Sequence, residues 1–498
     1  MEDALDTPAA PPGARPILRR IADLPGPRAW PLVGNLLQLK ATRIHQDVER
    51  WCRIHGTLFR LRFGRTQVLV VADHKLVAAI LRDRPAGFRR PAITSRISEE
   101  MGGPPGLFLA EGDAWRNQRR MVMAGFTPHA IKAYFPALVT VAQRLQRRWE
   151  AAAKAGHAIE LTDDLKRYTV DIIAGLAFGT EVNTIDGGED VIQRHMDVIL
   201  PAVARRSFAP IPYWRYFKLP ADRRLDRSIA ALRSAIDTLI AAARARMAQE
   251  PARRERPSNL LEAMISAADQ GGSGVDDQAV AGNVSTMLLA GEDTTANALA
   301  WMLYLLHRHP EAMRRAQEEV RRIAPDPAAF CIEQMDALDY LDACAQEAMR
   351  LKPVAPFLPL EALRDTMVAD VHLPKGGLVW CVLRHDSVDD AYFPNAAQFA
   401  PQRWLERGEA SAEKSIGIAS AEERTGTVSA NKGVGVPFGA GLRTCPGRYL
   451  ALLEIKIAMA MLLGRFEVVA VDTPDGKEAA ELMGFVMSPL GLRMRLRG

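Results

Sequence analysis

FGAGLRTCPG, residues 438–447, sets one cysteine, Cys445, between a glycine-rich loop and a proline. Glycine is used where backbone must turn sharply or approach another body closely. Pro446 suits the first position of a helix, because its missing N–H lacks a partner there anyway. A cysteine just ahead of a helix N-terminus faces free N–H groups and the positive end of the dipole, which lowers its pKa. The expectation is a thiolate on a rigid loop, ready to bind a metal. A lone cysteine is more often a small buried hydrophobe, and from this residue alone both readings stay open.

The spacing of apolar residues predicts a helix over 276–309, roughly 50 Å long at about 1.5 Å per residue. Its centre reads AGEDTTANALAW, from Ala290 to Trp301. Gly291 weakens the helix, and Glu292, Asp293, Thr294 and Thr295 interrupt an otherwise apolar segment. Burying either carboxylate unpaired is expensive, so these residues need partners or a wet pocket. A polar stripe facing solvent is the alternative, but Leu288, Leu289, Ala296, Leu299 and Trp301 leave little room for one. The Thr294 hydroxyl can bond the Ala290 carbonyl four residues back and distort the helix locally.

Two further pairs are weaker alone. Glu347 and Arg350, in EAMR, are three apart on a predicted helix and can touch. Most such pairs are solvated. Trp115 and Arg119, in AWRNQRR, fit a basic amphipathic helix with a packed tryptophan equally well. Arg403 follows in FAPQRW, residues 399–404.

Together these segments resemble the cytochrome P-450 family, in family order and over roughly residues 24–495. Its haem-binding signature, Phe-x-x-Gly-x-Arg-x-Cys-x-Gly, is met at Phe438, Gly441, Arg443, Cys445 and Gly447. A chance match somewhere in such a chain is on the order of 10⁻⁴. The resemblance implies a mainly α fold with a small β region and a long central helix over a buried haem b, with Cys445 as axial iron ligand. It implies that Ala290 and Gly291 open a groove for O2, the co-substrate. Asp293 would feed protons and Thr294 would hold the dioxygen. Trp115, Arg119 and Arg443 would contact the haem propionates, and Glu347, Arg350 and Arg403 would form a structural network. Arg443 and Pro446 look like the branch of fatty-acid hydroxylases and microsomal enzymes. Two positions depart from the family pattern: Leu360 where many members carry a propionate-binding Arg or His, and Asp370 where a turn glycine is common.

Composition sets the remaining bounds. The 498 residues carry 64 basic and 59 acidic side chains, a net +5 too mild to argue for nucleic acid. Five cysteines without CxxC spacing suggest neither a zinc knot nor a disulfide framework, and fit a reducing cytoplasm. No stretch reads as a signal peptide or membrane anchor. The expectation is a soluble, bacterial-type, monomeric and cytoplasmic protein, with residues 1–23 a flexible tail and 24–498 a single haem-thiolate domain. LFRLRFGRTQVLVVAD, residues 58–73, predicts a β-hairpin, and residues 406–432 an irregular surface loop.

The implied activity is a monooxygenase acting on a C–H bond or C=C of a hydrophobic small molecule. Electrons are expected from an external donor, a ferredoxin with its reductase or a flavoprotein reductase, because only about fifty residues follow Cys445. Arg116, Arg120 and Arg448 are candidate docking charges. Ile93, Ile97, Leu107, Phe108, Phe208, Tyr213 and Trp214 are candidate pocket lips. PYWRYFK, from Pro212, is read as a packed loop rather than a membrane contact. The alternatives are a peroxide-using or rearranging haem-thiolate enzyme and a non-catalytic haem-binding protein.

Overall fold

The computed structural model describes residues 18–102, 105–179, 183–187, 191–207, 209, 212–405 and 434–498. Its axis is a helix over Asp277–His307, here the central helix. The Asp276 carboxylate caps it by accepting from the Ala279 N–H (2.8 Å). A second helix, Pro310–Ile323, turns away at the proline. From Ala296 to Leu306 every residue of the central helix is buried. A helix apolar all round must be enclosed on all sides. Leu299, Leu303 and Leu306 each contribute roughly 1.5–3 kcal/mol by that burial.

Three helices supply much of the enclosure. They are Leu161–Phe178, here the cross helix; Asp339–Leu351; and Arg448–Arg465, here the cysteine helix. Helices and a few small sheets thus give the mainly α architecture expected from the sequence.

The predicted hairpin is present as Leu58–Phe63 paired with Thr66–Val71, Phe59 opposite Val70. Thr66–Val71 runs parallel to Leu378–Val382, which pairs antiparallel with Phe357–Ala362. Phe88–Arg89 completes this five-stranded sheet at the far edge.

Within the tail expected over residues 1–23, the described part, from Leu18, is held in the fold. Residues 1–17 lie outside the described residues, but Arg19–Arg20 pairs in parallel with Val371–Leu373. Arg19 grips both oxygens of Asp370 at 2.6 Å, and Ile21 and Leu24 are buried. Asp370, a departure from the family pattern, is therefore what fastens this segment. The left-handed backbone of that turn falls instead to Ala369, at φ 52°.

The segment after Pro212 is divided. Trp214 is buried, donates to Glu100 Oε2 (2.9 Å) and lies under Arg206, whereas Tyr216 and Phe217 are exposed. The loop expected at 406–432 lies outside the described residues. Among the described residues no helix is long and apolar enough to cross a membrane.

Candidate functional site

The cysteine loop is closed on itself by the Cys445 N–H, which donates to Phe438 O (2.9 Å). Gly441 has φ +70°, and a Cβ there would sit 2.8 Å from Arg82 Cα in the helix His74–Arg82. Glycine alone lets the loop settle on that helix. The cysteine helix starts at Arg448 with Gly447 as N-cap, so Pro446 stands two residues ahead of the first helical position expected for it.

Cys445 retains accessible surface, yet its thiol is almost surrounded by protein, as befits a group lining an internal cleft rather than the outer surface. Burial pushes the thiol up from its ordinary value, against the Gly447 N–H and the charges of Arg119 and Arg448. The expected lowering is therefore corrected: desolvation outweighs the helix start. A metal cation at the sulfur reverses that balance, because a coordinating thiol is deprotonated outright.

Two attachments tie this loop to the central helix. Arg443 donates to Leu107 O (3.3 Å) and Ala110 O (2.7 Å), while the Leu107 N–H donates to Asn283 Oδ1 (2.9 Å). Farther along, Thr295 hydrogen-bonds Glu454 of the cysteine helix. Between Asn283 and Thr295 the helix presents Ala290, which is exposed despite its position mid-helix. Thr294 Oγ1 donates to Ala290 O (2.6 Å), the back-bond the sequence suggests. Gly291 has its own reason: a Cβ there would lie 2.4 Å from Ile173 Cδ1 of the cross helix. Asp293 is ion-paired to Lys166 of the same helix at 2.8 Å.

Beside the cysteine loop lies a buried cationic cluster that sequence reasoning largely missed. Arg84, Arg90 and Arg443 share one carboxylate, Glu111, which pairs with Arg443 and accepts from the Arg90 N–H (3.3 Å). Burial pushes Arg443 down to about 10 and raises Glu111, so neither charge is fully compensated. Arg84 Nε and Arg443 Nε are buried without a hydrogen-bond partner among the described residues. Arg443 also stacks 4.5 Å over the Trp115 ring. Three guanidinium groups against one carboxylate call for further anionic charge. The donor set fits haem b: a thiol on the cleft wall and buried arginines able to take two propionates. Leu360, fully buried in its strand, takes no part.

Glu347 lies under a second network. Its oxygens accept from Arg350 Nε (2.8 Å) and Nη2 (2.7 Å), Arg403 Nε (3.0 Å), the Ala400 N–H (2.9 Å) and Trp404 Nε1 (2.8 Å). Phe393 packs beneath both guanidinium groups. Every lone-pair direction is used, which is what a buried carboxylate requires.

Other sequence-predicted residues are placed differently. Ile97 is buried in a cluster with Met101, Ala202 and Leu225 and belongs to packing rather than to a pocket lip. Phe108 contacts the Phe485 ring, a residue near the C-terminus that the sequence did not single out. Phe208 lies outside the described residues. Arg448 is half-buried against Phe438, so it is a poor docking charge, while Arg116 pairs with Asp113 on the surface. Glu454 was also missed; its signal is a single acid in the apolar run ALLEIKIAMAMLL.

The family model described as cytochrome P-450 matches residues 24–496. The chain belongs to the cytochrome P-450 family. A self-sufficient cytochrome P-450 monooxygenase of Oidiodendron maius (strain Zn) is 28% identical over 485 residues, covering 95% of this chain and 42% of that one. A bifunctional cytochrome P-450/NADPH–P-450 reductase of Gibberella moniliformis (strain M3125 / FGSC 7600) is 26% identical over 484 residues, covering 95% of this chain and 40% of that one. This cytochrome P-450 chain thus spans about two fifths of the length of those relatives. The crystal structure of the cytochrome P-450DA haem domain has a TM-score of 0.79 to it at 26% identity, covering 96% of this chain and 98% of that one.

Proposed function

We propose that this cytochrome P-450 is a haem-dependent monooxygenase that inserts one oxygen atom of O2 into a C–H bond or C=C of a hydrophobic small molecule. The observation that carries this reading is the cysteine loop fastened to the central helix on either side of Ala290, with buried, under-compensated arginines alongside. Haem b bound through Cys445 supplies O2 binding and its two-electron activation, the thiolate favouring O–O cleavage.

The chain's own residues do the rest. Arg443, Arg119 and Trp115 anchor and orient the cofactor's carboxylates, with Arg84 and Arg90 adding charge to the same wall. Phe438, Gly441 and Gly447 shape the loop that presents the thiolate. Ala290 and Gly291 keep side-chain bulk off the face where O2 must fit. The Thr294 hydroxyl positions O2 and passes a proton, and Asp293 recharges it from solvent, which is general acid–base work. Glu347, Arg350 and Arg403 hold the segment around residue 400 and thereby the back of the site.

Phe108 and its contact Phe485 form the proposed apolar lining for a hydrophobic substrate. The electron donor is a ferredoxin with its reductase or a flavoprotein reductase, approaching the face that carries Arg116 and Arg120. We place the chain, as a monomer, in a reducing cytoplasm; the cysteine usage supports the compartment.

The test is isotopic. With ¹⁸O2, an electron donor and an apolar substrate identified by its shift of the iron spin state, the product should gain one labelled atom. Turnover with peroxide but never with donor and O2 contradicts the monooxygenase reading and supports a peroxide-using enzyme. Spin-state shifts without any product support a binding protein.

A further inference from the structure

We propose that a buried ion cluster centred on Glu481 and Arg384 positions Phe485 against Phe108 and thereby sets the length of substrate the pocket accepts. This rests on the reading of Phe108 and Phe485 as the apolar lining. Phe485 sits in the connection of a hairpin whose strands are Glu481–Met483 and Met487–Pro489. Among the described residues these strands pair only with each other. Two strands of three residues are marginal in water on their own. The placement of the hairpin must therefore come from contacts outside the ladder, and Glu481, where the first strand begins, supplies them.

The buried Glu481 carboxylate meets three separate segments of the chain. Its Oε1 accepts from Arg384 Nη1 (2.7 Å) and Lys352 Nζ (2.7 Å). Its Oε2 accepts from Arg384 Nη2 (3.0 Å) and Gln46 Nε2 (3.1 Å), and lies 2.8 Å from His45 Nε2. His45 and Gln46 open the helix Ile44–His55, Lys352 follows the helix Asp339–Leu351, and Arg384 follows the strand Leu378–Val382. The other edge of Arg384 grips both oxygens of Glu49, from Nε (2.8 Å) and Nη2 (2.7 Å). A guanidinium fork held between two carboxylates fixes orientation as well as distance. The two carboxylates are matched by Arg384 and Lys352, so their burial is compensated.

The second strand is tied to the same cluster. The Met487 N–H donates to Val354 O (2.8 Å), two residues beyond Lys352, and Met487 Sδ lies 3.7 Å from Arg384 Nη1. Lys352 Nζ also lies 4.9 Å from the centre of the Trp301 ring, which keys the cluster to the central helix. At the other end of the hairpin the Gly484 N–H donates to Val486 O (3.0 Å), leaving Phe485 at the tip. The Phe485 ring centre is 5.9 Å from that of Phe108. Four residues of strand span about 13 Å, so a displacement at Glu481 is carried to the tip. In an apolar pocket one methylene more or less changes discrimination about tenfold or more. A small movement of Phe485 is therefore enough to change which chain length fits.

The experiment titrates the full haem-loaded chain with 1-alkylimidazoles from butyl to dodecyl, whose ring nitrogen binds the iron while the tail probes the pocket. Affinity is read from the Soret shift, and the ratio between long and short chains cancels any loss common to all ligands. Phe485→Ala is expected to move the preferred chain length. Glu481→Gln is expected to change the long-to-short ratio about threefold or more, and to change nothing further when added to Phe485→Ala. If Glu481→Gln fails to retain haem, Lys352→Met, which keeps the Arg384 fork, takes its place with the same expectation. A parent-like ratio in the variant used, or a shift that simply adds to that of Phe485→Ala, overturns the proposal. A parent-like profile in Phe485→Ala instead overturns the reading of Phe485 as lining.

Discussion

Thr295 on the central helix and Glu454 on the cysteine helix share a side-chain hydrogen bond in a fully buried part of the core. The bond joins the helix that faces the cleft to the helix that begins at the cysteine loop. Burial pushes the Glu454 carboxyl up to about 8, with the Thr295 hydrogen bond opposing.

The sign of its pH effect follows. The folded protein holds this proton far more tightly than the unfolded chain, where a glutamate titrates near 4.3. Its stabilisation is therefore complete below about pH 4 and is lost as pH rises toward about 8. Glu454→Gln removes that loss. Its thermal midpoint, compared with the parent, is expected to rise between about pH 5 and about pH 8, whereas parallel curves contradict a protonated Glu454.

Removing the Glu347 charge leaves Arg350 and Arg403 buried without compensation. Glu347→Gln is expected to cost about 3–5 kcal/mol. A lower midpoint in thermal unfolding and less haem retained per chain are the readouts; an unchanged midpoint contradicts a network that holds the back of the site.

Thr294→Ala removes a hydroxyl whose structural bond is only a back-bond within its own helix. The fold should keep its midpoint, since comparable changes fall within about ±0.5 kcal/mol. Product per reductant is expected to fall about tenfold or more, with peroxide released, and Thr294→Ser should recover most of it.

Arg443→Leu strands Glu111 half-buried and takes a cation from the propionate wall. Its thermal midpoint is expected to fall, and adding Glu111→Gln should restore the midpoint by removing the stranded charge. Haem dissociation, followed by transfer to an excess of apomyoglobin, should stay faster than in the parent in both variants. Parent-like dissociation in the double variant contradicts Arg443 as a haem anchor.

Much of this site was legible because local sequence dictates it. Cys445, its glycines, the Ala290–Thr295 segment and the Glu347–Arg350 spacing each lie within one short stretch whose chemistry is unusual. The long central helix was legible from its apolar run, whereas its Asp276 cap was not singled out. What was not legible depends on pairings across the chain. Nothing around Lys166 marks it as the partner of a residue 127 positions later. Arg84 and Arg90 lie in no motif, and only the fold sets them against Glu111. Arg19 read as tail because composition reports Pro and Ala but not the Asp370 that receives it. The Cys445 thiol was expected to be lowered by its helix, since sequence shows the helix start but not the desolvation around the sulfur.

The central claim is thiolate ligation of haem iron by Cys445. The most direct test is the absorption spectrum of the reduced, carbon monoxide-treated holoprotein beside Cys445→His. The parent is expected to show the strongly red-shifted Soret band of a thiolate ligand and the variant to lose it. A parent band at the position typical of histidine ligation contradicts the account.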